Sequence, residues 1–496
     1  MSEQKPNPPA PTSEAPKVEP KDELVVTQHS FTLKGQKIDY TVTTGTLILK
    51  EESEKKGEGA GEAEGEKPKA SIFFVAYTRN DTQNLAERPI TFSFNGGPGS
   101  SSVWLHLGLL GPKRVLMDPE GNPTPPPYKL VENEYSLLDV TDLVFIDPVS
   151  TGFSRAVTGE KAKAFHSFKK DIQSVGDFIR LYATRYQRWG SPKYLIGESY
   201  GTTRAAGLAG YLQERHSMYL NGIMLVSAVL DFSTLEFLPG NELPYILFLP
   251  SYTATAWYHR RLPQDLQQDL TAALAEARAY AQGDYTLALM KGAGLSADEK
   301  KKVVRKLVRL TGLSADYIER TNLRINIFRF CKELLRSERR TVGRLDSRFK
   351  GIDRDAVGDM HEYDPSLSNI MGPYTATLND YVRSELGFQS DLPYEVLTDK
   401  VHPWSYSDHE NQYVYVAETL RQAMTQNPSL RVHVANGYYD LATPFLATEH
   451  TFAHLGLDES LQKNLSMSYY EAGHMMYIHR PSLAKLHAEL EAFIQV

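Results

Sequence analysis

The order of apolar and polar positions divides this 496-residue chain into strands, helices and a helix-rich middle. Alternation begins at Phe31 and predicts half-buried strands over 38–49 and 71–77. Residues 165–188 have the period of a helix. Short apolar runs predict buried strands at 89–94, 141–146, 193–196, 222–227, 430–435 and 465–470. Strands that alternate with helices predict an α/β fold with a mostly parallel central sheet and helices on both faces.

The pattern changes near residue 250, where strand signals stop. From Leu266 to about Arg340 the apolar residues recur at helical spacing. We therefore expect residues 251–384 to form a helical cap inserted over the sheet. Residues 24–250 and 385–496 are expected to form the domain that contains the sheet.

Two segments have the composition of flexible chain. Residues 1–23 are rich in Pro, Glu and Lys and are expected to form a disordered tail. The tail lacks the apolar core of a signal peptide, so either the protein is cytoplasmic or it is exported by a signal outside this sequence. Residues 50–69 are nearly all Glu, Gly, Ala and Lys, and are expected to form a flexible hairpin loop.

Composition and charge argue against several classes of function. The chain is 41% apolar and 23% charged, as in soluble globular proteins, and its net charge of −7 does not favour a nucleic-acid or polybasic membrane partner. The basic run at 300–302 is therefore interpreted as a solvated helix face. No apolar run of about 18 residues predicts a transmembrane helix. The single cysteine, Cys331, excludes an intrachain disulfide and is expected in the core.

The candidate chemistry centres on a short segment between an apolar strand and a helix, Gly197-Glu198-Ser199-Tyr200-Gly201. This is the G-x-S-x-G pattern of a nucleophile elbow, in which a tight turn exposes the serine hydroxyl. The glycines leave no Cβ to collide with nearby backbone, and the helix start directs free N–H groups toward the reacting atom. The alternative is an ordinary strand-to-helix turn, since such short motifs also occur by chance.

The strand at 89–94 is followed by a glycine-rich loop, Asn95-Gly96-Gly97-Pro98-Gly99. Such loops can bind phosphate, but the Gly-Lys-Ser/Thr of a P-loop is absent. In a hydrolase this loop instead supplies one backbone N–H of an oxyanion hole.

The two late strands end in the other catalytic candidates, Asp440 and His474. With Ser199 they satisfy the order of nucleophile, acid and histidine in α/β-hydrolases, and each follows the carboxyl end of a strand, where ligands bind in such sheets. Asp231 is the rival acid because it also follows a strand, and His479 is the alternative histidine. The histidines are scattered without metal-ligand spacing, so no metal is expected.

Four motifs in this order resemble the signature blocks of the serine carboxypeptidases: Asn95 to Gly99, Gly197 to Gly201, Asn436 to Asp440, and Gly473-His474-Met475. Thr151-Gly152-Phe153-Ser154 resembles a further block of that family. The likeness covers about residues 88–250 and 365–496. It implies an α/β-hydrolase fold with a helical cap, release of the C-terminal residue of peptides, and no cofactor.

The resemblance also implies a catalytic role for each matching residue. Ser199 is the nucleophile, His474 the base and Asp440 its orienting acid. The backbone N–H groups of Gly97 and Tyr200 form the oxyanion hole.

The substrate-binding residues are implied in the same way. Asn95 and Glu198 match the residues that hydrogen-bond the terminal carboxylate of the substrate. Met475 matches a residue that lines the pocket for the leaving amino acid.

Three positions depart from the family pattern. Eukaryotic members usually have Trp where this chain has Ser93 and Cys where it has Ser100, so the usual disulfides are absent. Many members have a second Glu two residues before a Gly-Pro, where this chain has Leu109. The resemblance is therefore to a bacterial branch, with one acidic partner missing from the carboxylate site.

The expected partners are peptides with a free C-terminus, with no nucleic acid or membrane. Two other classes of function stay open. One is an esterase or acyltransferase that uses the same triad, and it is separated by comparing a peptide with an ester of the same acid. The other is a catalytically silent binding protein on a hydrolase scaffold, which a fluorophosphonate probe that fails to label Ser199 would identify.

Overall fold

The structure is a computed structural model that describes residues 19–54 and 63–495. Its strands are β1 Glu23–Leu33, β2 Gln36–Glu54, β3 Ala63–Arg79, β4 Ile90–Phe94, β5 Lys113–Val115, β6 Leu130–Glu132, β7 Asp142–Ile146, β8 Arg155–Ala156, β9 Lys193–Ser199, β10 Gly222–Ala228, β11 Thr341–Val342, β12 Lys350–Gly351, β13 Arg431–Gly437 and β14 Leu465–Tyr470.

Its α-helices are α1 Val103–Leu105, α2 Phe168–Arg185, α3 Tyr200–His216, α4 Leu243–Leu247, α5 Leu249–Tyr258, α6 Gln264–Gln267, α7 Leu270–Tyr280, α8 Thr286–Lys291, α9 Ala297–Thr311, α10 Ala315–Arg320, α11 Ile327–Glu333, α12 Pro365–Ser384, α13 Ala417–Gln426, α14 Phe445–Ala453 and α15 Arg480–Gln495. Two π-helical segments lie at His106–Leu110 and Ala281–Tyr285. No helix in the described ranges is both long and apolar enough to cross a membrane.

One large sheet runs through the molecule in the order β1-β2-β3-β7-β4-β9-β10-β13-β14, with β8 beside β3. The strands from β7 to β14 in this order are all parallel. The strands β1, β2 and β3 join them in antiparallel pairs. The predicted mostly parallel sheet is therefore confirmed. The carboxyl ends of β4, β9, β10, β13 and β14 share one edge of it, because neighbouring parallel strands point the same way.

Alternate residues of the strands enter two hydrophobic cores, one on each face of the sheet. On β3, Phe73, Val75 and Tyr77 belong to the first core, while Phe74 and Ala76 belong to the second. The helices α1, α12 and α15 cover the first face. The helices α2, α3 and α13 cover the second face.

The helices from α4 to α11 enclose a third core of their own. It includes Tyr439 and Leu441, which flank Asp440, and Phe445 at the start of α14. The helix-rich middle of the chain is therefore packed onto the loop that carries Asp440.

The last helix of the predicted cap packs elsewhere, because Ile370, Tyr374 and other apolar residues of α12 are buried in the first core. The division into a sheet domain and a cap stays a prediction.

The prediction of a flexible loop at 50–69 is wrong for the residues that the structure describes, although they do belong to a hairpin. There β2 and β3 continue as paired strands, with Glu51 opposite Lys67 and Ser53 opposite Gly65. The ladder uses backbone groups, so polar side chains are compatible with it where they are exposed. Residues 55–62 lie outside the described residues.

The expected tail at 1–23 is mostly outside the described ranges, which begin at residue 19. At its end, Asp22 accepts a hydrogen bond from the Ile48 N–H at 2.7 Å, and β1 begins at Glu23. The strand β1 therefore starts eight residues before the alternation at Phe31 predicts it.

Candidate active site

Ser199 ends β9 and is followed at once by α3. Its backbone has φ 59° and ψ −129°, a region that non-glycine residues rarely adopt. A Cβ on Gly197 would lie 2.2 Å from the Gly201 carbonyl oxygen, and one on Gly201 would lie 2.8 Å from the Phe94 carbonyl oxygen. The turn therefore needs both glycines, as expected for a nucleophile elbow.

Asp440 and His474 are joined by a hydrogen bond of 2.7 Å between Oδ2 and Nδ1. Asp440 is fully buried and also accepts hydrogen bonds from the Ala442 N–H, the Thr443 N–H and the Thr443 hydroxyl at 2.7–2.9 Å. The Asp440 carboxylate accepts all four of these hydrogen bonds, including the one from His474. His474 therefore donates from Nδ1, and its Nε2 is left to accept a proton.

The backbone of His474 is fixed on both sides. Its N–H donates to the Leu345 carbonyl at 2.7 Å, and its carbonyl accepts from the Ser227 hydroxyl at 2.6 Å. Burial lowers the pKa of His474, but the negative charges of Asp440 and Glu198 outweigh this effect and raise it above its usual value. Within the described residues, the Ser199 hydroxyl forms no hydrogen bond with His474.

The rival residues lie in other environments. Asp231 accepts the Ser233 N–H at 2.9 Å and the Ser233 hydroxyl at 2.6 Å, so it caps a short 3₁₀ turn. His479 Nδ1 lies 2.8 Å from the Ser482 hydroxyl. Neither residue is hydrogen-bonded to Asp440, His474 or Ser199 in the described part of the chain.

The glycine-rich loop after β4 lies directly against the elbow. A Cβ on Gly96 would lie 2.5 Å from the Tyr200 nitrogen, so the two loops are in backbone contact. Tyr200 is the first residue of α3, and its N–H therefore has no acceptor within the helix. Gly97 has φ 102°, and its N–H is not used by a turn or loop hydrogen bond in the residues described. Both N–H groups are free to bind an oxyanion.

Glu198, next to Ser199 in sequence, carries a buried carboxyl group with two side-chain donors. The Asn95 amide donates to Oε1 at 3.0 Å, and the Tyr477 hydroxyl donates to Oε2 at 2.5 Å. Burial raises the pKa of Glu198 to about 7, against opposing effects of His474, Tyr477 and Asn95. This carboxyl group therefore changes its charge near neutral pH.

The departures from the family pattern are buried side chains in the structure. Leu109 lies in the first core. Met475, which matches the family pattern, is 5% exposed in the same core. Ser93 is buried with its hydroxyl unpaired among the described residues. The Ser100 hydroxyl accepts from the Trp104 indole at 2.9 Å. Cys331 is a free, buried cysteine, as expected.

A hairpin formed by β11 and β12 contacts the loops that carry Asp440 and His474, and no sequence pattern identified it. Its Arg344 carbonyl accepts from the Leu441 N–H at 3.0 Å. Its Asp346 carboxylate accepts from the Gly473 N–H at 3.1 Å and forms a buried ion pair with Arg348. The residue after Asp440 and the residue before His474 are thus held by one hairpin.

No group of three His, Cys, Asp or Glu residues in 19–54 and 63–495 is placed to hold a metal ion.

Comparison with known proteins adds an independent observation. The model of the serine carboxypeptidase family matches residues 59–485. The pheromone-processing carboxypeptidase KEX1 of Saccharomyces cerevisiae is 35% identical over 135 residues, which are 26% of this chain and 17% of that protein. Serine carboxypeptidase-like 34 of Arabidopsis thaliana is 28% identical over 172 residues, which are 31% of each. The chain thus spans less than a third of the length of these relatives.

A solved structure extends the likeness to the whole fold. The prohormone-processing carboxypeptidase of Saccharomyces cerevisiae superposes with a TM-score of 0.55 at 17% identity, over 91% of this chain and 91% of that chain. At this identity the likeness shows the fold alone, and it confirms the predicted α/β-hydrolase architecture.

Proposed function

This chain belongs to the serine carboxypeptidase family, and from that premise we propose that it hydrolyses the C-terminal peptide bond of peptides. Ser199 is the proposed nucleophile, His474 the base and Asp440 the acid that orients it. The backbone N–H groups of Gly97 and Tyr200 are the proposed oxyanion hole. The similar proteins of Saccharomyces cerevisiae and Arabidopsis thaliana support this proposal, since their names describe carboxypeptidases.

The observation that carries the proposal is the buried Glu198 carboxyl group beside the strained Ser199. An ester substrate has no free terminal carboxylate that could accept the O–H of this group. A carboxypeptidase needs a group that tells a free C-terminus from an internal peptide bond. A neutral carboxyl group can donate its O–H to the terminal carboxylate of a peptide, and because burial raises the pKa of Glu198 to about 7, part of Glu198 keeps its proton near pH 7. Asn95 is proposed to bind the same terminal carboxylate from the neighbouring loop.

The proposed reaction is acyl transfer in two halves. His474 Nε2 takes the proton of the Ser199 hydroxyl, whose oxygen attacks the scissile carbonyl. The two N–H groups stabilise the negative charge that develops on the carbonyl oxygen. His474 then protonates the leaving amine, and the C-terminal amino acid departs.

The second half regenerates the enzyme. Water gives a proton to His474 and attacks the acyl-enzyme, and the Ser199 oxygen leaves with that proton. Asp440 stabilises the imidazolium in both halves through the Nδ1 hydrogen bond. Met475 is proposed to line the pocket for the departing residue.

The test compares one N-blocked dipeptide that has a free carboxylate with the methyl ester of the same N-blocked acid. We expect hydrolysis of the peptide by the wild type, and a loss on the order of 10⁴–10⁶ in kcat for Ser199→Ala with unchanged thermal unfolding. Rapid hydrolysis of the ester without any hydrolysis of the peptide would favour the esterase. A Ser199→Ala variant that keeps a tenth of the activity would exclude Ser199 as nucleophile.

A further inference from the structure

Glu198, which is proposed to bind the terminal carboxylate of the substrate, has a hydrogen-bond partner that the sequence motifs do not identify. The Tyr477 hydroxyl donates to Glu198 Oε2 at 2.5 Å, while the Asn95 amide donates to Oε1 at 3.0 Å. The Tyr477 and Glu198 side chains are both almost completely buried. Tyr477 lies in a 3₁₀ turn that begins two residues after His474. Tyr477 therefore links the loop that carries His474 to Glu198, the group proposed to bind the terminal carboxylate of the substrate.

The other titratable groups around Glu198 come from three elements. His474 and Asp440 act on it through their charges, from the loops after β14 and β13. Tyr374, on α12, is also close to Glu198. Burial raises the pKa of Tyr374, and the charge of Glu198 adds to this effect, but the Tyr374 hydroxyl forms no hydrogen bond with any described residue. No Lys or Arg in the described ranges forms an ion pair with Glu198. Its two direct partners are therefore both neutral donors.

Two donors on a carboxyl group decide where its proton can go. A neutral carboxyl group has one O–H to donate, and an amide N–H cannot accept it. While the Tyr477 hydroxyl donates to Oε2, it is not available as the acceptor of that proton either. The O–H of a protonated Glu198 is then left for a third group, and a substrate carboxylate is such an acceptor.

We propose that Tyr477 is the positioning residue that orients Glu198 so that its O–H is presented to the terminal carboxylate of a peptide. This inference rests on the proposed carboxypeptidase function and adds a determinant of its preference for free C-termini. Tyr477 is assigned no contact with the reacting atoms, and its effect is exerted through Glu198.

The sign of the expected pH effect follows from the hydrogen bond. A hydroxyl that donates to a carboxylate stabilises the ionised form, so Tyr477 opposes the effect of burial on the pKa of Glu198. Removing this hydroxyl should raise that pKa further. The loss of free-acid binding as pH rises, caused by ionised Glu198, should then begin at a higher pH.

The experiment measures kcat and KM against pH for Tyr477→Phe and for Tyr374→Phe, with a free-acid peptide and its C-terminal amide. Tyr374→Phe is the matched control, since it removes a hydroxyl near Glu198 that is not bonded to it. For Tyr477→Phe we expect KM on the free acid to rise about 10- to 100-fold at the pH optimum, as for loss of a charge-assisted hydrogen bond. The alkaline fall on the free acid should move to higher pH, and the amide profile should keep its shape.

Two outcomes would overturn the inference. One is a Tyr477→Phe profile on the free acid that has the wild-type alkaline limb. The other is an equal change for acid and amide, which would indicate a structural role only. Should Tyr477→Phe not fold, 3-fluorotyrosine at 477 keeps the ring and makes the O–H a stronger donor. The alkaline limb should then move to lower pH, and an unmoved limb would contradict the inference.

Failure of the proposed function would look different. In that case the wild type itself would not release C-terminal residues. A wild type that prefers the free acid, together with an unchanged Tyr477→Phe limb, would refute the role of Tyr477 alone.

Discussion

Asp440 is the residue that decides how His474 is oriented. Its carboxylate accepts the Nδ1 hydrogen of His474 at 2.7 Å, and three further donors from Ala442 and Thr443 hold it in place. An amide at this position would offer an N–H to Nδ1 and favour the wrong imidazole tautomer. The rival Asp231 only caps a short turn.

We therefore expect Asp440→Asn to lower kcat by roughly 10⁴. Asp231→Asn should change it little, because asparagine caps a turn almost as well as aspartate. Steady-state kinetics on one peptide would measure both variants. A larger loss for Asp231→Asn would show that the triad is assigned wrongly.

Glu198 should set the alkaline limb of the reaction on free-acid peptides. Burial raises its pKa to about 7, so above that pH the carboxylate would repel the substrate's own carboxylate. Glu198→Gln keeps a donor and cannot ionise. The alkaline fall of kcat/KM on a free-acid peptide should therefore flatten, while the amide profile should show no such fall in either protein.

A second buried carboxyl group gives a matched control for this variant. Burial also raises the pKa of Asp147 to about 7, against hydrogen bonds from the Ser102 N–H and the Tyr394 hydroxyl. Asp147→Asn should leave the alkaline limb in place. If both substitutions flatten it equally, the limb does not report on Glu198.

The elbow could be predicted from sequence because every residue that shapes it is local. Gly197, Ser199 and Gly201 lie within five positions, and the turn is tight for steric reasons that the glycines reveal. Tyr477 could not be predicted, since it lies 279 positions from Glu198 and contacts it only after the sheet has formed. The pattern of apolar residues records burial, but it does not record which distant polar groups meet.

Among the elements, the β11–β12 hairpin has the largest role that the sequence pattern does not predict. Its strands are two residues each, too short for any alternation to be recognised. Even so, its backbone and the Asp346 carboxylate bind the loops that carry Asp440 and His474. The polar ends of β2 and β3 were predicted as a loop for a related reason. Strands pair through backbone groups, so amino-acid composition alone does not predict the pairing.

Asp346→Ala should destabilise the protein, because it removes the nearer carboxylate of the buried Arg348 and leaves only that of Glu120, 3.8 Å away. Breaking a buried ion pair from one side costs about 3–5 kcal/mol of the free energy of unfolding. The exposed pair of Arg320 and Asp316 is the control, and Asp316→Ala should cost no more than about 0.5 kcal/mol. Denaturant unfolding would compare them, and equal effects of the two variants would contradict a supporting role for the hairpin.

Over the whole molecule, the sequence predicted the fold correctly but did not predict the boundary between the sheet domain and the cap. Runs such as 222–227 and 430–435 became neighbouring parallel strands, because continuous apolar segments are buried on both faces. The boundary of the cap was not predictable in the same way. Helix α12 has the same apolar periodicity whether it packs on other helices or on the sheet, and it packs in the first core.

The third core connects the helix-rich middle to the site. Tyr439 and Leu441, on either side of Asp440, are buried among residues of that middle segment. The segment therefore helps to hold the acid of the proposed triad as well as covering the sheet.

The most direct measurement is a C-terminal ladder assay on a mixed pool of peptides, read by mass spectrometry. The wild type should remove single residues in succession from the C-terminus and leave every N-terminus intact. An amidated copy of the pool should be shortened more slowly, and Ser199→Ala should leave both pools unchanged. Internal cleavage by the wild type, or no shortening of either pool, would contradict a serine carboxypeptidase built on Ser199, His474 and Asp440.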